Sequence, residues 1–221
     1  MKKIYGFILL AAAALMLSGC VSMAGGRAIS GSGPMVLHEI PAQGFTGLYI
    51  GGGYDLTFHQ APEFSVSIEV QENLFNYLEA QVRSGVLHLS FSRNITTTPG
   101  NTPRVRVYAP YLDSLSVRGA VNANMDLHVS RLDIDISGAG NLTLVGSADV
   151  LDINAGGAAN INAFDMIARD VLVNMNGAGN ADVYASNTLD VDISGVGRVR
   201  YDGDPVVTRN ITGLGSISRR N

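Results

Sequence analysis

Lysine is confined to Lys2 and Lys3 of the 221-residue chain, and cysteine occurs once, at Cys20. A single cysteine excludes an internal disulfide, a thiolate metal cluster and a cysteine nucleophile in the body of the protein. Without lysine beyond residue 3, no Walker-type phosphate loop can be built. Amphipathic helical periodicity is scarce too, and only residues 73–78 hint at a helical turn. These absences point away from nucleotide chemistry and toward an all-β chain.

The scarce residues cluster where targeting signals lie. Lys2 and Lys3 precede an uncharged apolar run, residues 4–17, which is shorter than the roughly 20 residues of a membrane span and has the flanks of a secretory signal. It ends in Leu17-Ser18-Gly19-Cys20, which resembles the lipobox of bacterial lipoproteins. The expectation is cleavage before Cys20 and acylation of that cysteine, palmitate included. Two or more acyl chains anchor stably. By resemblance to lipoprotein sorting signals, Val21 favours the outer membrane. Processing at this point leaves 13 arginines against 19 acidic residues, a net charge of −6. Such a surface suits neither nucleic acid nor anionic headgroups, so neither is an expected partner.

Residues 20–33 are small and rich in Gly and Ser, the composition of a flexible tether. Residues 34–218 form one domain, with 219–221 as a charged tail that discourages edge pairing. Within the domain, residues 34–110 read as irregular first coils. Phe64, Val66, Ile68 and Val70 alternate with polar neighbours, and Ser84-Gly85 marks the turn of a hairpin spanning 80–91.

Beyond residue 110 a repeat takes over. DISGAGNLTL at 135–144 returns as NMNGAGNADV at 174–183. Its leading glycine recurs as Gly119, Gly138, Gly157, Gly177, Gly195 and Gly213, at intervals of 18–20 residues. Apolar residues stand two before it and four after it in every copy. The position three before is always polar: Ser116, Asp135, Asn154, Asn174, Asp192 and Asn210. Registered alternation of this kind defines a solenoid whose units bury their apolar faces only by stacking. A 19-residue contour wraps once around a narrow core, which predicts a parallel β-helix. The six-residue period of left-handed β-helices is missing, and this favours a right-handed coil. The glycines then serve corners that a Cβ would obstruct. Asn122, Asn141, Asn160 and Asn180, three after the glycine, predict an amide ladder between coils.

Other chemistry finds little support. Gly-x-Gly here is followed by strands, whereas a dinucleotide fingerprint opens a helix. Asp133, Asp152 and Asp190 share a register position, but Leu172 interrupts them, so they form no contiguous Ca²⁺ cage. His38, His59, His88 and His128 lack metal-ligand spacing. Arg104, Arg106, Arg118, Arg198 and Arg200 are the only candidate bases for a lyase-like site, and Arg198 with Arg200 reads as a solvated face. No cofactor and no metal site is expected.

The lipobox, the opening FTGLYIGGGYDLTF (45–58), the junction VYAPYLDSLSVRGA (107–120) and the repeated ISGAGN together resemble the head GIN domain family of autotransporter-adhesin-like envelope proteins. The resemblance covers residues 35–218. It implies a β-helical solenoid, often on a lipoprotein, without established enzyme chemistry, and it carries over no functional residues. The reading is a non-enzymatic, lipid-anchored envelope module for glycan or envelope partners, on either the periplasmic or the surface side of the membrane. A polysaccharide-active enzyme and a structural spacer are the alternatives.

Overall fold

The computed structural model describes residues 28–220; Cys20, the signal segment, most of the tether and Asn221 lie outside them. In chain order the elements begin with β1 (Ile29–Ser30), β2 (Met35–Glu39), β3 (Gly47–Gly51), β4 (Gly53–Gln60) and β5 (Ser65–Gln71). One helical turn, α1 (Glu72–Phe75), leads to β6 (Leu78–Arg83), β7 (Val86–Phe91), β8 (Ile95–Thr96) and β9 (Arg104–Ala109). The regular region follows: β10 (Ser114–Val117), β11 (Ala120–Ile136), β12 (Ala139–Ala155), β13 (Ala158–Met175), β14 (Ala178–Ile193), β15 (Val196–Asp202), β16 (Val206–Ile211) and β17 (Leu214–Arg219).

From β10 onward each coil pairs in parallel with the next, giving a right-handed-type β-solenoid with coils of about 19 residues. Alternation fixes which residues face inward. Val121, Ala123, Met125 and Leu127 are buried along β11, and their stacked equivalents continue the core through β14. Each fully buried Leu or Ile contributes about 1.5–3 kcal/mol relative to exposure. That gain exists only when the coil above is in place. The unequal repeat intervals have a local cause: the register shifts between Thr143 and Val145, between Ala163 and Ile167, and between Ala168 and Asp170. These β-bulges absorb the added and missing residues while the corners stay aligned.

The leading glycines form a single column at one corner. None lies in the left-handed region, so their requirement is close approach rather than φ. A Cβ on Gly138, Gly157, Gly177, Gly195 or Gly213 would land on the carbonyl oxygen of the glycine one coil below. Under Gly119 the column continues to Gly52. The second glycine of the motif is inward-facing. Its column runs Tyr54, Val121, Gly140, Ala159, Gly179, Gly197; it accepts side chains in the earlier coils, whereas a Cβ on Gly179 (φ 153°) or Gly197 would meet the carbonyl oxygen of Ala159 or Gly179 one coil below.

The first coils are threaded out of sequence order. β3 pairs in parallel with β7 on one side and β10 on the other, and β4 lies between β9 and β11. Residues 47–60 are thus intercalated between two segments that follow them in the chain. Residues 110–113 step over this coil, held by Asp113 N–H to the Thr46 carbonyl at 2.8 Å. Below it, β2 and β5 pair antiparallel, as do β5 and β9. The β6–β7 hairpin turns at Ser84 and Gly85, φ 50° and 78°, the paired positive values of a type I′ turn.

Two boundaries differ from those read in the sequence. Residues 29–33 are docked rather than free: β1 pairs with β8, and the Ser32 amide donates to Asn73 Oδ1 at 2.8 Å. At the far end, Arg219 belongs to β17, and the Arg220 amide donates to the Tyr201 carbonyl at 2.7 Å. The Arg220 guanidinium lies 4.5 Å from the Phe164 ring centroid. Arg209 occupies the register position of Val191 one coil below, at the end of an otherwise apolar column, and is exposed there. A charge at a core register blocks continuation of the stack.

Candidate functional site

Outward residues of the regular coils fall into columns spaced at about 4.8 Å, the inter-strand distance. Asn122, Asn141, Asn160 and Asn180 occupy one such column. Asn141 Nδ2 donates to Asn122 Oδ1 at 3.0 Å, Asn160 to Asn141 at 3.2 Å and Asn180 to Asn160 at 3.1 Å. Asn122 ends the series by donating to the Asp55 carboxylate at 2.9 Å. Every step runs in the same direction, and the last is a charge-assisted bond. A primary amide has two donor hydrogens and two acceptor lone pairs. Asn141 and Asn160 spend one of each on the ladder, and the others remain for solvent or a ligand.

Two residues further along each strand runs a second column: Asn124, Thr143, Asn162, Asp182 and Arg200. Among the described residues, Asn124, Thr143 and Asn162 form no internal side-chain hydrogen bond. The two columns border a shallow trough of about 440 Å³ that crosses four coils and reaches Arg198 at one end. Arg200 lies on the outward, solvent-accessible side of β15 and is also ion-paired. Its Nε donates to Asp182 Oδ1 at 2.7 Å, and a second bond joins its Nη2 to Oδ2. This fork closes the second column with a neutral pair.

The remaining candidates are dispersed. Arg131 bridges Asp133 and Asp152, at 2.7 and 2.8 Å, so two of the three register-related aspartates share one guanidinium. Arg104 pairs with Glu69 at 3.0 Å. His38 stacks on Phe75, His59 on Tyr108 and His88 beside Tyr49, while His128 Nδ1 lies 2.9 Å from Ser147 Oγ. Among the described residues no three His, Cys, Asp or Glu side chains are grouped to hold a metal ion. Cys20 lies outside the described residues.

Two participants escaped the sequence reading. Asp55 terminates the amide ladder, and Gly52 begins the glycine column. The signal for both was the match of Gly52-Gly53-Tyr54-Asp55 to Gly119-Ala120-Val121-Asn122. The long interval between the two segments concealed their adjacency.

A parallel β-solenoid with a ladder-lined polar trough is the class of molecule these features define. Residues 44–205 match the family described as "Putative auto-transporter adhesin, head GIN domain", and the chain belongs to that family. Three crystal structures, each described as a "putative adhesin", share the fold. That from Bacteroides fragilis has a TM-score of 0.71 at 19% identity, covering 87% of this chain and 100% of its own. Those from Parabacteroides merdae and Parabacteroides distasonis have TM-scores of 0.57 and 0.55 at 19% and 20% identity. They cover 89% and 88% of this chain and 100% of their own. Comparison with curated proteins finds no match.

Proposed function

We propose that this protein is a non-enzymatic, lipid-anchored module of the bacterial envelope that binds a glycan or an envelope partner through the Asn-lined trough. The observation that carries the reading is the register of the trough itself. Unspent amide donors and acceptors recur over four successive coils, a spacing suited to a polymer with repeating polar groups. Membership of an adhesin-described family supports the same reading. A non-enzymatic role is supported by how the charged groups are used: of the candidate bases, Arg104 and Arg200 are committed to carboxylates, and the histidines lie apart. Anchoring through Cys20 and placement at the outer membrane follow from the lipobox and Val21.

The test is co-sedimentation of the full chain, in detergent, with isolated peptidoglycan sacculi and with extracted envelope polysaccharide. The triple variant Asn124→Ala, Thr143→Val, Asn162→Ala removes polar groups that carry no internal bond, so its unfolding midpoint should match the wild type. Its retained fraction should fall several-fold. Equal retention of both proteins would move the binding away from the trough, and retention of neither would favour a spacer.

A further inference from the structure

A second concave region lies on the same outward side of β11, four residues beyond the trough. Outward positions there run Asn122, Asn124, Asp126 and His128. At His128 the strand meets residues 110–113, the segment that steps over the intercalated coil. Tyr111 projects from this segment and is 67% exposed, whereas its neighbour Leu112 is fully buried and fixes the segment to the core. A cleft of about 570 Å³ opens on one side, lined by Tyr111, Asp113, His128, Arg131 and Ser147 among others. A cleft of about 340 Å³ opens on the other, between Tyr111, Pro110, Gln60 and Pro62. The tyrosine is therefore a ridge with usable space on both flanks.

The ridge is held from beneath. Gln60 Nε2 donates to the Pro110 carbonyl at 2.8 Å, and Gln60 Oε1 accepts from the His128 amide at 2.7 Å. One glutamine thus ties the stepping segment to the strand that forms the opposite wall. Nearby, the His59 and Tyr108 rings stack with centroids 5.7 Å apart, and Tyr108 is also exposed. A large exposed aromatic on a fixed backbone loses little conformational freedom on binding.

We propose that Tyr111 is the stacking platform of a glycan-binding subsite, taking the apolar face of a pyranose unit in a neutral polysaccharide. This assignment rests on the envelope-binding reading above. The ring offers a flat apolar surface with a phenol at its rim. Polar groups of the larger cleft suit the sugar's hydroxyls: the Asp113 carboxylate accepts from neighbouring hydroxyls, and the His128–Ser147 pair and Ser130 supply further contacts. A few placed polar groups around an apolar wall are what a small-molecule site requires. Arg131 is already shared between Asp133 and Asp152, so it brings no free cation for an acidic sugar. The negative net charge of the chain likewise disfavours anionic polymers.

The chain contains no tryptophan, so Tyr111→Trp installs a sole reporter at the ridge while keeping an aromatic platform. The probes are defined neutral oligosaccharides of gluco-, manno-, xylo- and N-acetylglucosamine series, titrated into the full chain in detergent. The expected result is a saturable emission change with at least one series. Tyr111→Ala should weaken retention of that series on immobilised ligand about tenfold or more, and Tyr111→Phe should preserve it. A silent reporter across all series, with Tyr111→Ala still co-sedimenting with sacculi or envelope polysaccharide like the wild type, overturns the subsite and leaves envelope binding standing. A silent reporter together with a wild type that co-sediments with nothing overturns both. Response to proline-rich peptides alone would replace the glycan by a peptide partner and overturn the assignment.

Discussion

A methyl group added at Gly157 would collide with the Gly138 carbonyl oxygen, and neither backbone can retreat without breaking the ladder on both sides. One added at Gly140 meets only the branch ends of Leu142 and Ile136, at 2.9 and 3.2 Å, which can rotate aside. Gly157→Ala should therefore lower stability by about 2–3 kcal/mol or more, the range of a forced overpacking. Gly140→Ala should stay within about 1 kcal/mol. Denaturant midpoints of the two variants at equal m-values decide the matter. The sequence made the corner visible, because one position was glycine six times over. It did not distinguish the two physical roles a glycine can take there. Close backbone approach and positive φ leave the same letter, and only the stacking geometry separates them.

Ladders and bulges are properties of elements, and they differ in how well a sequence exposes them. Asn122, Asn141, Asn160 and Asn180 were legible because the asparagine repeats at one offset. The bulge at Ala168–Asp170 was visible only as a changed interval. There the Asp170 carboxylate accepts from the Thr188 hydroxyl and the Asn187 amide, each at 2.6 Å, and from Arg169 Nε at 3.0 Å. The Thr188 bond first, then those of Asn187 and Arg169, lower its pKa to about 2 from an ordinary 3.8. A depressed carboxylate pKa stabilises the folded state above the unfolded value, and that contribution disappears as pH falls through the folded value. The wild type should thus lose an increment of stability between about pH 4 and pH 2, which Asp170→Asn lacks. Thermal midpoints of both proteins across that interval should converge at the acid end. Divergence there would remove Asp170 as the bulge's acidic clamp. The β6–β7 hairpin was legible from Ser84-Gly85 alone. The Tyr111 ridge was not, since one tyrosine in a loop has no periodicity, and its exposure depends on a segment that crosses another coil.

For the whole molecule, length of repeat and inward alternation were enough to give a solenoid, its axis and its corner. They could not give the order of its first coils, because pairing between residues 47–60 and two later segments has no local signature. The proposed attachment to a membrane is likewise a whole-molecule property. If Cys20 is acylated, the full chain should enter the detergent-rich phase on Triton X-114 separation, and Cys20→Ser should shift the mature-length protein to the aqueous phase. Retention of the variant in detergent would assign anchoring to another segment.

The intercalated coil also constrains the order of events during synthesis. Residues 47–60 emerge early, yet both neighbours of this strand, β7–β9 below and β10–β11 above, arrive later. Assembly therefore cannot advance coil by coil from the leading end, as a simple repeat could. The early segment must wait, with Leu48, Ile50, Leu56 and Phe58 incompletely covered, until β10 and the first part of β11, ending at Asp126, have followed it. A chain built this way has a built-in delay in its first coils, and that interval is when the uncovered apolar strands are most prone to wrong pairing.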